Sequence, residues 1–242
     1  MRIGIIADVH ANEEALDTVL SALKKADIDR IICLGDLVGY GPNPNECVSK
    51  VFETAEVIVA GNHDYGAIGR LSLERFNAFA HQAMLWTQDN LSAESVQIIK
   101  SLDLIYDDGY IMAVHASPEA PEQWHYVSSE DAVFRSLMAL TSPYCFIGHT
   151  HIPALFSRKA NGDMILQRGQ SLTLPSDQLH LINVGSVGQP RDSDPRSSYG
   201  IFDLETAHFE LHRIPYDIKR VQAKMGKAGI SDFLIQRLAV GQ

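Results

Sequence analysis

Acid, amide and imidazole side chains gather in this chain at a few places, each just after a short apolar run. They are Asp8-Val9-His10, Gly35-Asp36, Gly61-Asn62-His63-Asp64, His115 and His149-Thr150-His151, followed by the turn Asn183-Val184-Gly185-Ser186. Imidazole mixed with carboxylate selects first-row transition metals over Ca or Mg. Seven residues are candidate ligands: Asp8, His10, Asp36, Asn62, His115, His149 and His151. That is more than one metal with an open position needs, and it suits two metals sharing a bridging carboxylate. Asp8 and His10 stand two apart, as do His149 and His151, so in extended backbone each pair projects to one side. Asp36 follows Gly35 and precedes Gly39 and Gly41, where missing side chains permit close backbone approach.

The apolar runs 3–7, 31–34, 57–60, 111–114, 144–147 and 181–182 predict strands. In an open α/β sheet the carboxyl ends of the strands share one edge, where ligand crevices form. Between them the 3.6-residue period predicts a helix over 12–25 with Asn12 as cap, and a short helix near 45–52. A helical insertion spans about 66–102, with Phe76, Phe79, Ala80, Ala83 and Met84 on one face and a second helix opening at Ser92. Ser128-x-x-Asp131 has the form of a capping box and predicts a helix over 128–140. The second half reads as β: Asn161-Gly162 marks a hairpin between 154–160 and 164–170, and strands follow near 180–184, 198–204 and 207–213. An amphipathic helical tail covers about 216–240. The whole, 1–242, is expected to form a single domain of α/β class: a four-layer αββα sandwich of two packed mixed sheets flanked by helices.

Bulk properties narrow the function. With 242 residues and 45% hydrophobic content the chain can bury a full core. A formal net charge of −10 leaves no basic footprint for long nucleic acid, so none is expected as a partner. Three cysteines, Cys33, Cys47 and Cys145, show no Cys-x-x-Cys spacing and read as reduced buried thiols. No apolar run approaches a membrane span and no signal-peptide h-region opens the chain, so a cytoplasmic location away from membranes is expected. Gly185-Ser186-Val187-Gly188 is not a nucleophile elbow, and no P-loop supports ATP-driven chemistry. The oligomeric state is not legible.

Taken in order, Asp8-x-His10, Gly35-Asp36-x-x-Gly39, Gly61-Asn62-His63-Asp64, His115 and Gly148-His149-x-His151 resemble the motifs of the calcineurin-like metallophosphoesterases, in particular their small bacterial phosphodiesterase-like group. The 183–191 segment resembles a further block of bacterial members. The resemblance covers nearly the whole chain and implies the αββα fold and a dinuclear centre. It places one metal, Mn foremost with Fe, Co, Ni or Zn possible, on Asp8, His10, Asp36 and His151. A second would share Asp36 and add Asn62, His115 and His149. It implies a metal-dependent phosphoesterase that cleaves a small phosphodiester or nucleotide-type substrate by in-line attack of a metal-bridging hydroxide. His63 would protonate the leaving oxygen, with Asp64 orienting it and raising its pKa.

Some positions depart from relatives of other specificity. Tyr40 stands where protein phosphatases and symmetrical dinucleoside-tetraphosphate hydrolases carry a phosphate-clamping Arg, and Asp64 replaces Glu. Both changes point away from protein dephosphorylation and toward the phosphodiesterase-like group. Dinucleoside polyphosphate hydrolysis, phosphomonoester or protein-phosphate hydrolysis, and nuclease action are the alternative activities. A non-enzymatic scaffold is disfavoured because no ligand position is missing. Arg191 can donate a planar, bidentate pair of hydrogen bonds to substrate phosphate, and Tyr40 can stack on a base or aryl group. Asn12 reads as a helix cap. Asn183 and Ser186 are explained equally by phosphate contact or by a turn.

Overall fold

The computed structural model describes residues 1–242. Its first half alternates strand and helix: β1 (Arg2–Ile6), α1 (Glu13–Lys25), β2 (Arg30–Cys33), α2 (Pro44–Thr54), β3 (Val57–Ile58) and α3 (Asn62–Ala67). Helices α4 (Ala78–Asn90) and α5 (Ala93–Lys100) lead into β4 (Ile105–Asp107), β5 (Ile111–Val114), α6 (Glu130–Met138) and β6 (Tyr144–Ile147). There follow β7 (Ala154–Arg158), β8 (Met164–Gln167), β9 (Ser171–Thr173), β10 (Leu179–Asn183), β11 (Ser197–Asp203), β12 (His208–Ile214), α7 (Ile218–Lys227) and α8 (Asp232–Arg237).

The strands form two mixed six-stranded sheets, ordered β3-β2-β1-β11-β12-β9 and β4-β5-β6-β10-β7-β8. Strands β1, β2 and β3 run parallel, as do β5, β6 and β10, so each sheet brings three carboxyl ends to one edge. Alternation along the strands makes the layers. Ile3, Ile5 and Ile32 face Ile111, Ala113 and Phe146 in a core between the sheets. Ile6 and Cys33 turn the other way, onto Leu16, Val19 and Val48 of α1 and α2. Met112, Val114 and Cys145 turn outward under Val133 and Leu137 of α6. Gly4 lets Leu23 pack close, since a Cβ there would lie 2.8 Å from the end of the Leu23 side chain and push it aside. The expected four-layer αββα sandwich is therefore the fold. No helix is long and apolar enough to cross a membrane.

Some boundaries differ from the sequence reading, for local reasons. Ser129, not Ser128, caps α6, its side chain accepting the Ala132 N–H. The Asn161-Gly162 hairpin closes on a five-residue loop, 159–163, in which Lys159 N–H donates to Asp163 O. The third strand shrinks to Val57–Ile58 because only two residues find register partners on β2. Strands β4 and β9 are too short and too exposed to show a period. Phe76 precedes α4, and Phe79 is exposed and stacks on Phe233 of the tail instead of sharing the buried face of Met84. The tail is two helices, broken around Gly229, where φ is +72°.

Candidate metal centre

Every candidate ligand lies on a loop at the shared edge or in the first turn of α3; six of the seven come together, and Asn62 lines one cavity with His149. Asp8, His10, Asp36 and His151 place one ligand atom each within 4.8 Å of one another, and Asp36, His115 and His149 do the same. Asp36 belongs to both groups. All six of these side chains are buried. The pairs Asp8/His10 and His149/His151 do not project from extended backbone. Asp8, His10, Asp36, His149 and His151 all have φ between +50° and +65°, in the left-handed region that non-glycine residues avoid at a cost of roughly 1–2 kcal/mol each. Strain concentrated on these positions is what a functional site held by its surroundings shows. Close approach is secured by absent side chains: a Cβ at Gly61 would sit 2.0 Å from Asp36 Oδ1, and one at Gly148 would sit 2.6 Å from Asp8 Oδ2.

The imidazoles are oriented from behind. His10 Nδ1 lies 3.1 Å from the Val38 carbonyl, His115 Nδ1 2.7 Å from that of Leu34, and His151 Nδ1 2.6 Å from that of Gln189. A carbonyl accepts only, so each Nδ1 carries the proton, and in the neutral rings of His10 and His151 Nε2 turns a lone pair inward. His10 Nε2 and His151 Nε2 then face each other at 3.1 Å, and His115 Nε2 lies 3.2 Å from His149 Nδ1 and 3.3 Å from Asp36 Oδ2. The His10 and His151 lone pairs repel at such a distance unless a cation lies between them. The Asn62 Oδ1 and His149 Nε2 atoms are buried without a hydrogen-bond partner. The donor set thus fits metal ions, and the orphaned Asn62 oxygen fits one beside Asp36, His115 and His149.

Burial, which disfavours charge, holds His10 and His151 well below the usual imidazole range and brings His149 down to about 3. These neutral rings are already in the form that binds metal. Burial acts the same way on His115, but Asp36 and Asp8 outweigh it and raise its pKa to about 9. Of the two carboxyls, Asp36 keeps its charge against burial because His115 and His63 flank it, whereas burial pushes Asp8 up.

His63 and Asp64 correct the expectation about their partnership. The Asp64 carboxylate accepts backbone N–H groups from Asp36 and Gly61 on Oδ2 (2.8 and 2.9 Å) and from Leu37 and Val38 on Oδ1 (2.9 and 3.3 Å). It staples two motif loops together and does not reach the His63 ring. His63 Nδ1 instead meets Met84 Sδ at 3.1 Å, and burial lowers its pKa to about 4 with no help from Asp64. Its N–H donates to Asp36 Oδ1 at 2.8 Å, and its ring lies 4.8 Å from that of His10.

Arg191 reaches over the same edge: its guanidinium donates to Gln189 Oε1 (2.8 Å) and to the Tyr40 hydroxyl (3.4 Å). It lies 5.7 Å over the Tyr40 ring, which meets His10 edge-on at 4.7 Å. Asn183 and Ser186 prove to be turn builders. Asn183 binds Gly148 O and the Gly185 N–H, and Ser186 donates to Asp8 O. Asn12 caps α1 through the Ala15 N–H and ties it to Gly188 O. Sequence reasoning missed Trp124 and Tyr126, whose rings lie 6.0 Å from His115 and 4.1 Å from His149. Only their place shortly after His115 hinted at this.

Comparison with known proteins agrees with the motifs. The family model described as the calcineurin-like phosphoesterase superfamily domain matches residues 1–207. The chain belongs to this superfamily. As a calcineurin-like phosphoesterase it is a hydrolase of phosphoric esters, in a metal-dependent family. This phosphoesterase is 40% identical to an uncharacterised protein of Methanocaldococcus jannaschii over 99% of its own length and 98% of the other. Its structure is similar to that of a metallophosphoesterase from Sphaerobacter thermophilus: the TM-score is 0.87 and the identity 42%, covering 100% of this chain and 99% of that one. A hypothetical protein from Pyrococcus horikoshii shares the fold at 16% identity, with a TM-score of 0.78 over 100% of this chain and 98% of that one.

Proposed function

We propose that this phosphoesterase hydrolyses a small phosphodiester of nucleotide type at a centre of two divalent transition-metal ions, Mn foremost and Fe, Co, Ni or Zn as alternatives. The observation that carries the reading is Asp36, the one carboxylate common to both ligand clusters. Asp8, His10, Asp36 and His151 would hold one ion, and Asp36, Asn62, His115 and His149 the other. Such ions act as Lewis acids on phosphoryl oxygens and make water a nucleophile at neutral pH. Arg191 supplies a guanidinium free of any carboxylate partner to a phosphoryl oxygen. His63 lines the cavity beside the clusters. With Nδ1 turned to Met84, its Nε2 is the nitrogen left to hand a proton to the leaving oxygen. The negative charge of the substrate favours the imidazolium form that this step needs. Tyr40 helps shape a cavity of about 210 Å³, room for a small ester.

Two outcomes follow. Chelation of metal-quantified protein abolishes hydrolysis of bis(p-nitrophenyl) phosphate, and added Mn restores it; turnover in fully metal-free protein would refute the reading. Reloading also stabilises the fold, because the ions bind the native cluster and not the unfolded chain. At a hundredfold excess over Kd that amounts to about 2.7 kcal/mol per ion, or roughly 5–10 °C in Tm for each ion in a chain of this size. Calorimetry of stripped and reloaded protein checks it, and coincident melting curves would count against metal binding at this site.

A further inference from the structure

We infer that one of the two groups esterified to the substrate phosphate carries a planar aromatic ring system, seated in the cleft walled by Phe76, Trp124 and Tyr126. The inference rests on the phosphoesterase reading of the adjoining site and names the substrate class it takes. The cleft, about 210 Å³, opens directly on Asn62, His63 and His149, so a group seated there reaches the metal ligands within one ester. Of its walls Trp124 is buried, Phe76 half-buried and Tyr126 exposed. Tyr126 is 54% exposed, yet its ring lies nearly parallel to His149, at 25° and 4.1 Å. Trp124 sits at φ +58° just after a short 3-10 turn (Pro121–Gln123), a strained conformation for a bulky residue. Its indole meets Tyr65 and His115 edge-on, at 5.6 and 6.0 Å. Phe76 closes the side next to His63, at 4.9 Å.

Arg75, Asn77 and Gln123 line the same cleft, and no carboxylate does. Faces for stacking, edge donors and acceptors, and the absence of negative charge describe a nucleobase or simple aryl group attached to phosphate. Stacking on protein aromatics is sequence-tolerant and substantial, which suits a site that reads ring planarity.

The test uses Mn-loaded protein carrying Trp86→Phe, which leaves Trp124 as the single fluorophore of the chain's two tryptophans. Adenosine 5′-monophosphate, ribose 5-phosphate, phenyl phosphate and inorganic phosphate are titrated in turn, with affinities read by calorimetry and Trp124 emission followed alongside where that residue is present. The adenosine ligand is expected to quench Trp124 and to bind at least about tenfold tighter than ribose 5-phosphate. In Tyr126→Ala and in Trp124→Leu that ratio falls toward one, whereas a residue that only props the metal ligands would lower both affinities alike. A gain for phenyl phosphate without one for the adenosine ligand assigns the cleft to a simple aryl group. Equal affinities for all three organic phosphates, with inorganic phosphate still bound, overturn the inference and leave the phosphoesterase reading standing. Failure of inorganic phosphate to bind strikes that reading first and takes the inference with it.

Discussion

Asp36→Asn is expected to lower kcat/KM on a diester by at least about a thousandfold and to deplete both metal positions at once. The carboxylate lies between the two halves of the centre, with Oδ2 3.6 Å from His10 Nε2 and 3.3 Å from His115 Nε2. Its other oxygen accepts the His63 N–H at 2.8 Å, so an asparagine that keeps this bond must turn its NH2 group toward the cations. The shared negative charge is lost, and a donor replaces an acceptor at the one point both ions need. Losing several kcal/mol of charge stabilisation in the transition state corresponds to about three orders of magnitude in rate. Metal analysis and kinetics on the same sample check it. The contrast is Asn62→Ala, which is expected to empty only the position shared with His115 and His149. Two bound metals and a rate within tenfold of the parent in Asp36→Asn would sink the bridging assignment.

The largest stability effect belongs to a neighbouring residue that the reading above removes from the chemistry. Asp64→Ala is expected to cost about 4 kcal/mol or more, a large share of the roughly 5–15 kcal/mol that holds a domain folded. Its four backbone donors, on Asp36, Leu37, Val38 and Gly61, are buried, and each one left unpaired costs about 1–3 kcal/mol. Those donors belong to the two loops that carry Asp36 and Asn62, so activity falls with stability. Asp64→Asn keeps one acceptor oxygen and is expected to lose about half as much. Urea unfolding decides between the two roles. If Asp64 served His63, its replacement would alter the pH–rate profile of a protein as stable as the parent; a loss under about 1 kcal/mol in Asp64→Ala would restore that view.

That residue shows where sequence reading ends. Asp8, His10, Asp36, Asn62, His115, His149 and His151 were legible because metal chemistry tolerates few residue types, and their order after apolar runs carried the pattern. The layers were legible because alternation in strands such as β1 and β5 has to match one face to a second sheet and the other to a helix. The partner of Asp64 was not legible. A carboxylate next to a histidine reads as its hydrogen-bond partner, and only the fold of the 35–38 loop over α3 brings three more N–H groups to it beside that of Gly61. Nor did the spacing of Asp8 and His10 reveal their left-handed backbone, since a two-residue repeat looks the same in a strand and in a turn.

By itself, then, the chain's order of residues determined most of the elements and which atoms are fit to bind cations, because these depend on side-chain chemistry and local period, while the class of bond cut followed from the family its motifs resemble. Tertiary structure alone decided that Asp64 braces two loops, and that Trp124 and Tyr126 stand beside His115 and His149. Such relations depend on distances between segments far apart in the chain, which no local pattern encodes.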